Sequence, residues 1–172
     1  QLTYAHKTRV ETAKDLLRSR LKGWPISEIE THLSRGYPGY WLTFDEDSLV
    51  RHANLMRNAR EKDLPLTIQT RVLQESDVTE VTIYVQDHPG LFSRLAAAFS
   101  SVSANVVDAK IFTTPEGMAL DVFWLQDPNG RAFDKTDSLK KLREQIQRSL
   151  AGEMGGEEPN TQRNYISSRT NV

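Results

Sequence analysis

The hydrophobic period changes at Pro65, and that change limits the folds open to this chain of 172 residues. Before it, apolar residues recur every three or four positions, the spacing of one helix face; after it they alternate, the spacing of one strand face. Leu66, Ile68, Thr70 and Val72 alternate with polar neighbours, Glu75-Ser76-Asp77 reads as a turn, and Val81, Ile83 and Val85 alternate again, which predicts a β-hairpin. Leu91, Leu95, Ala98, Phe99 and Val102 then form a helical stripe. Strands are expected at about Asn105 to Thr113 and Met118 to Gln126, joined by Thr114-Pro115-Glu116-Gly117 and closed by Asp127-Pro128-Asn129-Gly130. A last helix carries Leu139, Leu142, Ile146 and Leu150 on one face, with Asp134 and Asp137 toward its start, where the helix dipole favours carboxylates.

Strand, strand, helix, strand, strand, helix can fold as a four-stranded antiparallel sheet with two helices on one face, a ferredoxin-like α+β sandwich. The usual version ends in a strand that pairs with the first, and no strand pattern follows Leu150. The strand from Leu66 to Gln74 fills that place as antiparallel neighbour of Thr79 to Gln86, giving the same sheet with the chain permuted. The strand Ala119 to Leu125 is apolar on both faces, with Leu120, Val122 and Trp124 on one and Ala119, Phe123 and Leu125 on the other. One helix layer covers one face, so a second subunit or second domain is expected on the other.

The first third is helical. Val10, Ala13, Leu17 and Leu21 recur at helical spacing until Gly23-Trp24-Pro25. Ser27 and Glu30 have capping-box spacing for a short helix to about Ser34, and Gly36-Tyr37-Pro38-Gly39-Tyr40-Trp41 reads as a turn. Asp45 is placed to cap a helix carrying Leu49, Ala53 and Met56 and ending near Asp63. Three regions follow: a helical lead-in over 1–64, a sheet domain over 65–151, and a polar, glycine-rich tail over 152–172. The chain opens on Gln1 with Leu2 onward already helical in character, which suggests a piece of a larger protein.

Charge and composition narrow the functional classes. The 22 basic and 23 acidic residues are spread along the chain, giving net charge −1 and no footprint for nucleic acid or an anionic membrane. With no cysteine, a disulfide framework, thiolate catalysis and cysteine-ligated zinc are excluded. No apolar run reaches membrane-spanning length, and the chain reads as soluble and cytoplasmic.

The segment Asp87-His88-Pro89-Gly90-Leu91-Phe92 stands between an alternating strand and a helical stripe. Pro89 fixes a backbone angle, Gly90 lets a ligand approach the main chain, and a helix start points amides outward, which suits a carboxylate. A free amino acid also needs an anionic partner for its ammonium, which Asp87 or Asp108 can supply. The plainer reading is that Asp87 caps the helix and Gly90 eases a turn.

The stretch from Thr79 to about Asp127 resembles the ACT domain, a regulatory module that binds amino acids between paired copies. The resemblance is carried by Thr79-Glu80-Val81-Thr82-Ile83-Tyr84-Val85, the Asp87 to Phe92 loop, Ala104 through Thr114, and Gly117-Met118-Ala119-Leu120-Asp121-Val122-Phe123. With Tyr40-Trp41-Leu42-Thr43-Phe44 and Leu49-Val50-Arg51-His52-Ala53 it is similar, over about Lys7 to Gly152, to the C-terminal regulatory part of the bifunctional enzymes that add and remove uridylyl groups on PII nitrogen-signalling proteins. The resemblance implies glutamine as ligand, with Asp87, His88, Pro89, Gly90, Leu91, Phe92, Asn105 and Asp108 around it. It also implies PII protein as partner of the parent enzyme, magnesium and UTP as the parent's requirements rather than this chain's, and pairing as an ACT–ACT homodimer or within one longer chain. The family carries a second ACT copy, and nothing from Gly152 to Val172 repeats the loop pattern.

Catalytic patterns are weak. Asp45-Glu46-Asp47 has the spacing of metal-binding carboxylates but lacks a Gly-Ser phosphate cradle and stands where a helix cap is needed. None of His6, His32, His52 and His88 is followed by Asp, so the clustered His-Asp of a metal hydrolase is missing; His52 is expected to pack or hydrogen-bond between layers. Ser93 and Ser100 have no base near them in sequence. The mixed-sign run Arg57 to Asp63 reads as a solvated helix face, and Trp24, Tyr37, Tyr40 and Trp41 as anchors of a loop on a core. Two rival functions stay open: an assembly module that binds nothing, and an ACT sensor of another amino acid from a biosynthetic enzyme.

Overall fold

The computed structural model describes residues 3–151, so the expected tail lies outside the described residues. The chain runs through α1 (Tyr4–Arg20), α2 (Ile26–Arg35), α3 (Pro38–Thr43), α4 (Glu46–Glu61), β1 (Leu66–Leu73), β2 (Val78–Gln86), α5 (Leu91–Ser101), β3 (Asn105–Thr113), β4 (Met118–Gln126) and α6 (Thr136–Ala151). The sheet order is β1-β2-β4-β3, with every neighbouring pair antiparallel. Leu66 at the start of the first strand faces Val85 near the end of the second, so β1 takes the place expected for a returning last strand. The fold is therefore the permuted ferredoxin-like α+β sandwich with a helical segment before it.

Register assigns the two sheet faces. Val81, Ile83 and Val85 pair with Phe123, Asp121 and Ala119, and these residues look toward α5 and α6. The core there is Leu91, Leu95 and Phe99 of α5, Leu142 and Ile146 of α6, and Phe123, whose ring meets Phe99 edge-on at 4.8 Å. Arg143 of α6 donates to the Ile68 carbonyl at 2.9 Å, and Ser149 donates to the Arg94 carbonyl at 2.7 Å, pinning α6 across β1 and α5.

The opposite face, where a second subunit or domain was expected, is met at one end by the chain's own helices. Tyr84, Leu120 and Phe112 share a core with Leu17, Leu33, Tyr40, Trp41, Ala53 and Met56. The aromatic residues that frame α3 make this junction: Phe112 lies 5.2 Å from Tyr40 and 5.6 Å from Phe44, centre to centre. The Tyr40 hydroxyl and His52 Nδ1 are hydrogen-bonded at 2.9 Å, so His52 bonds between layers as expected. Burial pushes the His52 imidazole down to about 3, which keeps the ring neutral.

Three local expectations change. Gly36 to Trp41 is not simply a turn, because Pro38 starts the short helix α3; the first helical position needs no amide hydrogen and suits proline's fixed angle. Ser27 and Glu30 form no capping box, since α2 begins at Ile26 after Pro25 and Glu30 instead binds Arg18 Nε at 2.7 Å. α1 begins at Tyr4, ahead of Val10 where its apolar spacing starts, with Thr3 as its cap accepting from the His6 amide at 3.2 Å. Asp45 caps α4 as expected, accepting from the Ser48 amide at 2.8 Å.

Candidate ligand-binding site

β2 ends at Gln86 and α5 begins at Leu91, so Asp87 to Gly90 must turn the chain within four residues. Gly90 supplies the turn at φ 84, a conformation that glycine adopts without strain, and a Cβ there would meet nothing within 4 Å. No side chain caps α5. Asp87 is held otherwise: its amide donates to the Gly117 carbonyl at 2.9 Å, and its carboxylate accepts from Thr113 Oγ1 at 3.3 Å. The capping reading of Asp87 is thus not the geometry found, since Gly90 is the N-cap and the Asp87 carboxylate is held by Thr113 of β3. His88 is half-buried and places Nδ1 3.0 Å from the Pro89 carbonyl, while Leu91 is buried and Phe92 packs toward Phe123.

Beneath this loop lies Asp121, which the sequence reading passed over between its apolar neighbours. It is 1% exposed on the α5 face of β4, paired with Ile83 and Ile111, and its Oδ1 has no hydrogen-bond partner among the described residues. Burial, with the charge of Asp87 adding to it, pushes its carboxyl up to about 7. The signal was an aspartate at an inward position of a strand, where alternation with Ala119 and Phe123 demands an apolar residue.

Asn105 and Asp108 do not join this group. They pair with Gln126 and Trp124 on the opposite face, whereas Asp87 sits by Gly117 at the other end of β4. From Gly117 to Trp124 and Gln126 is about seven to nine residues of strand, about 23–30 Å. Asp108 is exposed and accepts its neighbour's amide, Ala109 N–H, at 2.8 Å.

The acidic run of α4 does not fit a magnesium–triphosphate site. Asp45 is a helix cap, Arg20 lies between Glu46 and Asp47 at 3.3 Å and 2.5 Å, and among the described residues no three metal-ligating side chains cluster. Nor is the Arg57 to Asp63 run only a solvated face: Arg57 binds Glu28 at 2.7 Å and lies over the Trp24 ring at 5.0 Å. No described helix is long and apolar enough to cross a membrane.

Topology defines a ferredoxin-like α+β module with a glycine turn where β2 hands over to α5, preceded by a packed helical lead-in. Similar segments occur in curated proteins. The chain is 46% identical over 147 residues to the bifunctional uridylyltransferase/uridylyl-removing enzyme of Azospirillum brasilense, covering 85% of this chain and 16% of that enzyme. Enzymes of the same name match at 40% over 148 residues in Gluconobacter oxydans and at 36% over 163 residues in Ruegeria pomeroyi, covering 16% and 18% of their lengths. No family model matches. The chain belongs with the bifunctional uridylyltransferase/uridylyl-removing enzymes, as a segment spanning 16–18% of the length of these relatives.

Proposed function

We propose that this segment is an ACT-type regulatory module of a PII uridylyltransferase/uridylyl-removing enzyme and senses glutamine. The observation that carries the reading is the uncapped start of α5 at Gly90 beside the carboxylate of Asp87. An amino acid offers that place a carboxylate for the helix start and an ammonium for the aspartate. The chemistry of the parent, transfer of a uridylyl group from UTP to PII protein with magnesium and its removal, belongs to catalytic domains elsewhere in the enzyme, in the cytoplasm. Glutamine acts by binding one arrangement of the module better than another, and the helical segment passes that preference on.

Pairing is part of the proposal. Asn105 and Asp108 lie about 23–30 Å of strand away from Asp87 and face the other way, so a site that uses both sets draws them from two copies. The copies are two chains in a homodimer or two modules of the longer parent.

Thermal unfolding against a panel of amino acids tests the reading. A ligand that binds only the folded chain stabilises it by about 2.7 kcal/mol at a hundredfold excess over Kd. Glutamine should raise Tm and Asp87→Ala should abolish the rise. A stronger response to another amino acid would replace glutamine as ligand, and no response from any, in this chain and in the full-length parent alike, would refute the sensor.

A further inference from the structure

The helical segment and the sheet do not close completely where they meet. A cavity of about 40 Å³ remains between α2, α3 and α4 on one side and the outer sheet face on the other, walled by His32, Trp41, Arg60, Tyr84 and Phe112, with Arg35 at its rim. It lies across the sheet from Asp121 and the α5 core, and has room for about three water-sized groups.

Two buried polar atoms in its lining are unpartnered. Trp24 donates its indole N–H to Asn54 Oδ1 at 3.1 Å and Trp124 donates to Glu80 Oε2 at 3.2 Å. The indole N–H of Trp41, 2% exposed, has no partner among the described residues, and neither has Nε2 of His32, 3% exposed. Their rings are 6.0 Å apart. A buried donor left unpaired costs about 1–3 kcal/mol, so the position calls for an acceptor. Burial, with Arg60 and Arg35 near, pushes the His32 imidazole down to about 4, so a neutral ring faces the same space. Arg35 is matched by Glu116 at 2.6 Å, which leaves the positive charge of Arg60 in excess over the lining's acids. The remaining walls, Phe112, Leu120 and Met56 among them, are apolar.

We propose that this seam is a binding site for a small monocarboxylate of about two or three carbons, its carboxylate accepting from Trp41 Nε1 beside Arg60 and its apolar end against Phe112. Such an occupant touches helical segment and sheet at once and fixes one against the other. It is a second input, whose carboxylate partners Trp41 and Arg60 lie apart from the loop at Asp87.

The three tryptophans provide the test, because each indole N–H gives its own signal in a nitrogen–proton correlation spectrum. Propanoate is titrated into the chain, with propanamide and chloride as controls and Trp41→Phe to identify the Trp41 signal. The expected result is a saturable downfield shift of that signal while Trp24 and Trp124 stay still. Propanoate should bind about tenfold more weakly in Arg60→Gln and should still saturate the Trp41 signal in Asp87→Ala, the variant that separates this site from the amino-acid sensor. No saturation by ~50 mM propanoate would overturn the proposal. So would an equal response to propanamide, which would show no need for charge, or an equal response to chloride, which would show no need for an organic body.

Discussion

Asp121→Asn should stabilise the chain more at pH 9 than at pH 5. The folded carboxyl titrates near 7 against a reference of 3.8, because it is buried and Asp87 adds a like charge. The folded value lies above the unfolded one, so the protonated form is the one folding favours. Stability from this group is fully present below 3.8, falls with rising pH through the interval up to 7, and is constant above it. From pH 5 to well above 7 the loss is about 2.7 kcal/mol, two units at about 1.36 each. Asparagine keeps the shape and cannot ionise. Urea unfolding of wild type and variant at both pH values, extrapolated linearly to water, isolates the term, since the remaining titrating groups are shared. For a chain of this size the same difference is roughly 5–11 °C in Tm. Equal differences at pH 5 and pH 9, within ~0.5 kcal/mol, would refute the idea that Asp121 is buried beside a like charge.

Gly36→Ala should destabilise the chain by about 1–3 kcal/mol or more, because its Cβ would be built into the indole of Trp41 and that ring is enclosed by Tyr40 and His32. Loss of the cooperative thermal transition at the wild-type Tm checks it, and unchanged Tm would show that the α2–α3 connection can shift. Phe99→Ala should cost about 3–5 kcal/mol in urea unfolding, since its 1% exposed ring stacks on Phe123 in the sheet–helix core.

The sheet could be read from the chain because its signal is the alternation itself. Leu66, Ile68 and Val81, Ile83 repeat with period two on either side of Glu75-Ser76-Asp77, and a hairpin that short fixes their register. The cover over Tyr84, Leu120 and Phe112 could not be read the same way. A residue's face follows from spacing, but what packs on that face depends on contacts between segments far apart in sequence, here Tyr40 with Phe112. Pro38 misled for a local reason, since proline and glycine punctuate turns and helix starts alike. Asp87 to Gly90 were legible as the turn between strand and helix, but Asp121 needed the third dimension. Its inward position follows from the alternation of β4, whereas its nearness to Asp87 depends on how the end of β2 lies against β4.

The end of the β3–β4 hairpin touches both the loop and the helical segment. Thr113 donates to the Asp87 carboxylate, and Gly117 accepts the Asp87 amide at 2.9 Å. One residue before Thr113, Phe112 points to the other face and packs against Tyr40 and Phe44; one residue before Gly117, Glu116 binds Arg35 of α2 at 2.6 Å. Strand alternation makes this possible, because neighbouring residues of one strand serve opposite faces. A ligand that repositions Asp87 therefore acts on the same six residues, Phe112 to Gly117, that the helices hold. Any free energy by which the loop prefers one placement of this turn appears as a preference of the helices for the same placement, and the reverse holds by reciprocity. Coupling between sensor and lead-in then needs no longer path than one β-turn, and its size is limited by how differently the helices pack on the turn's two placements.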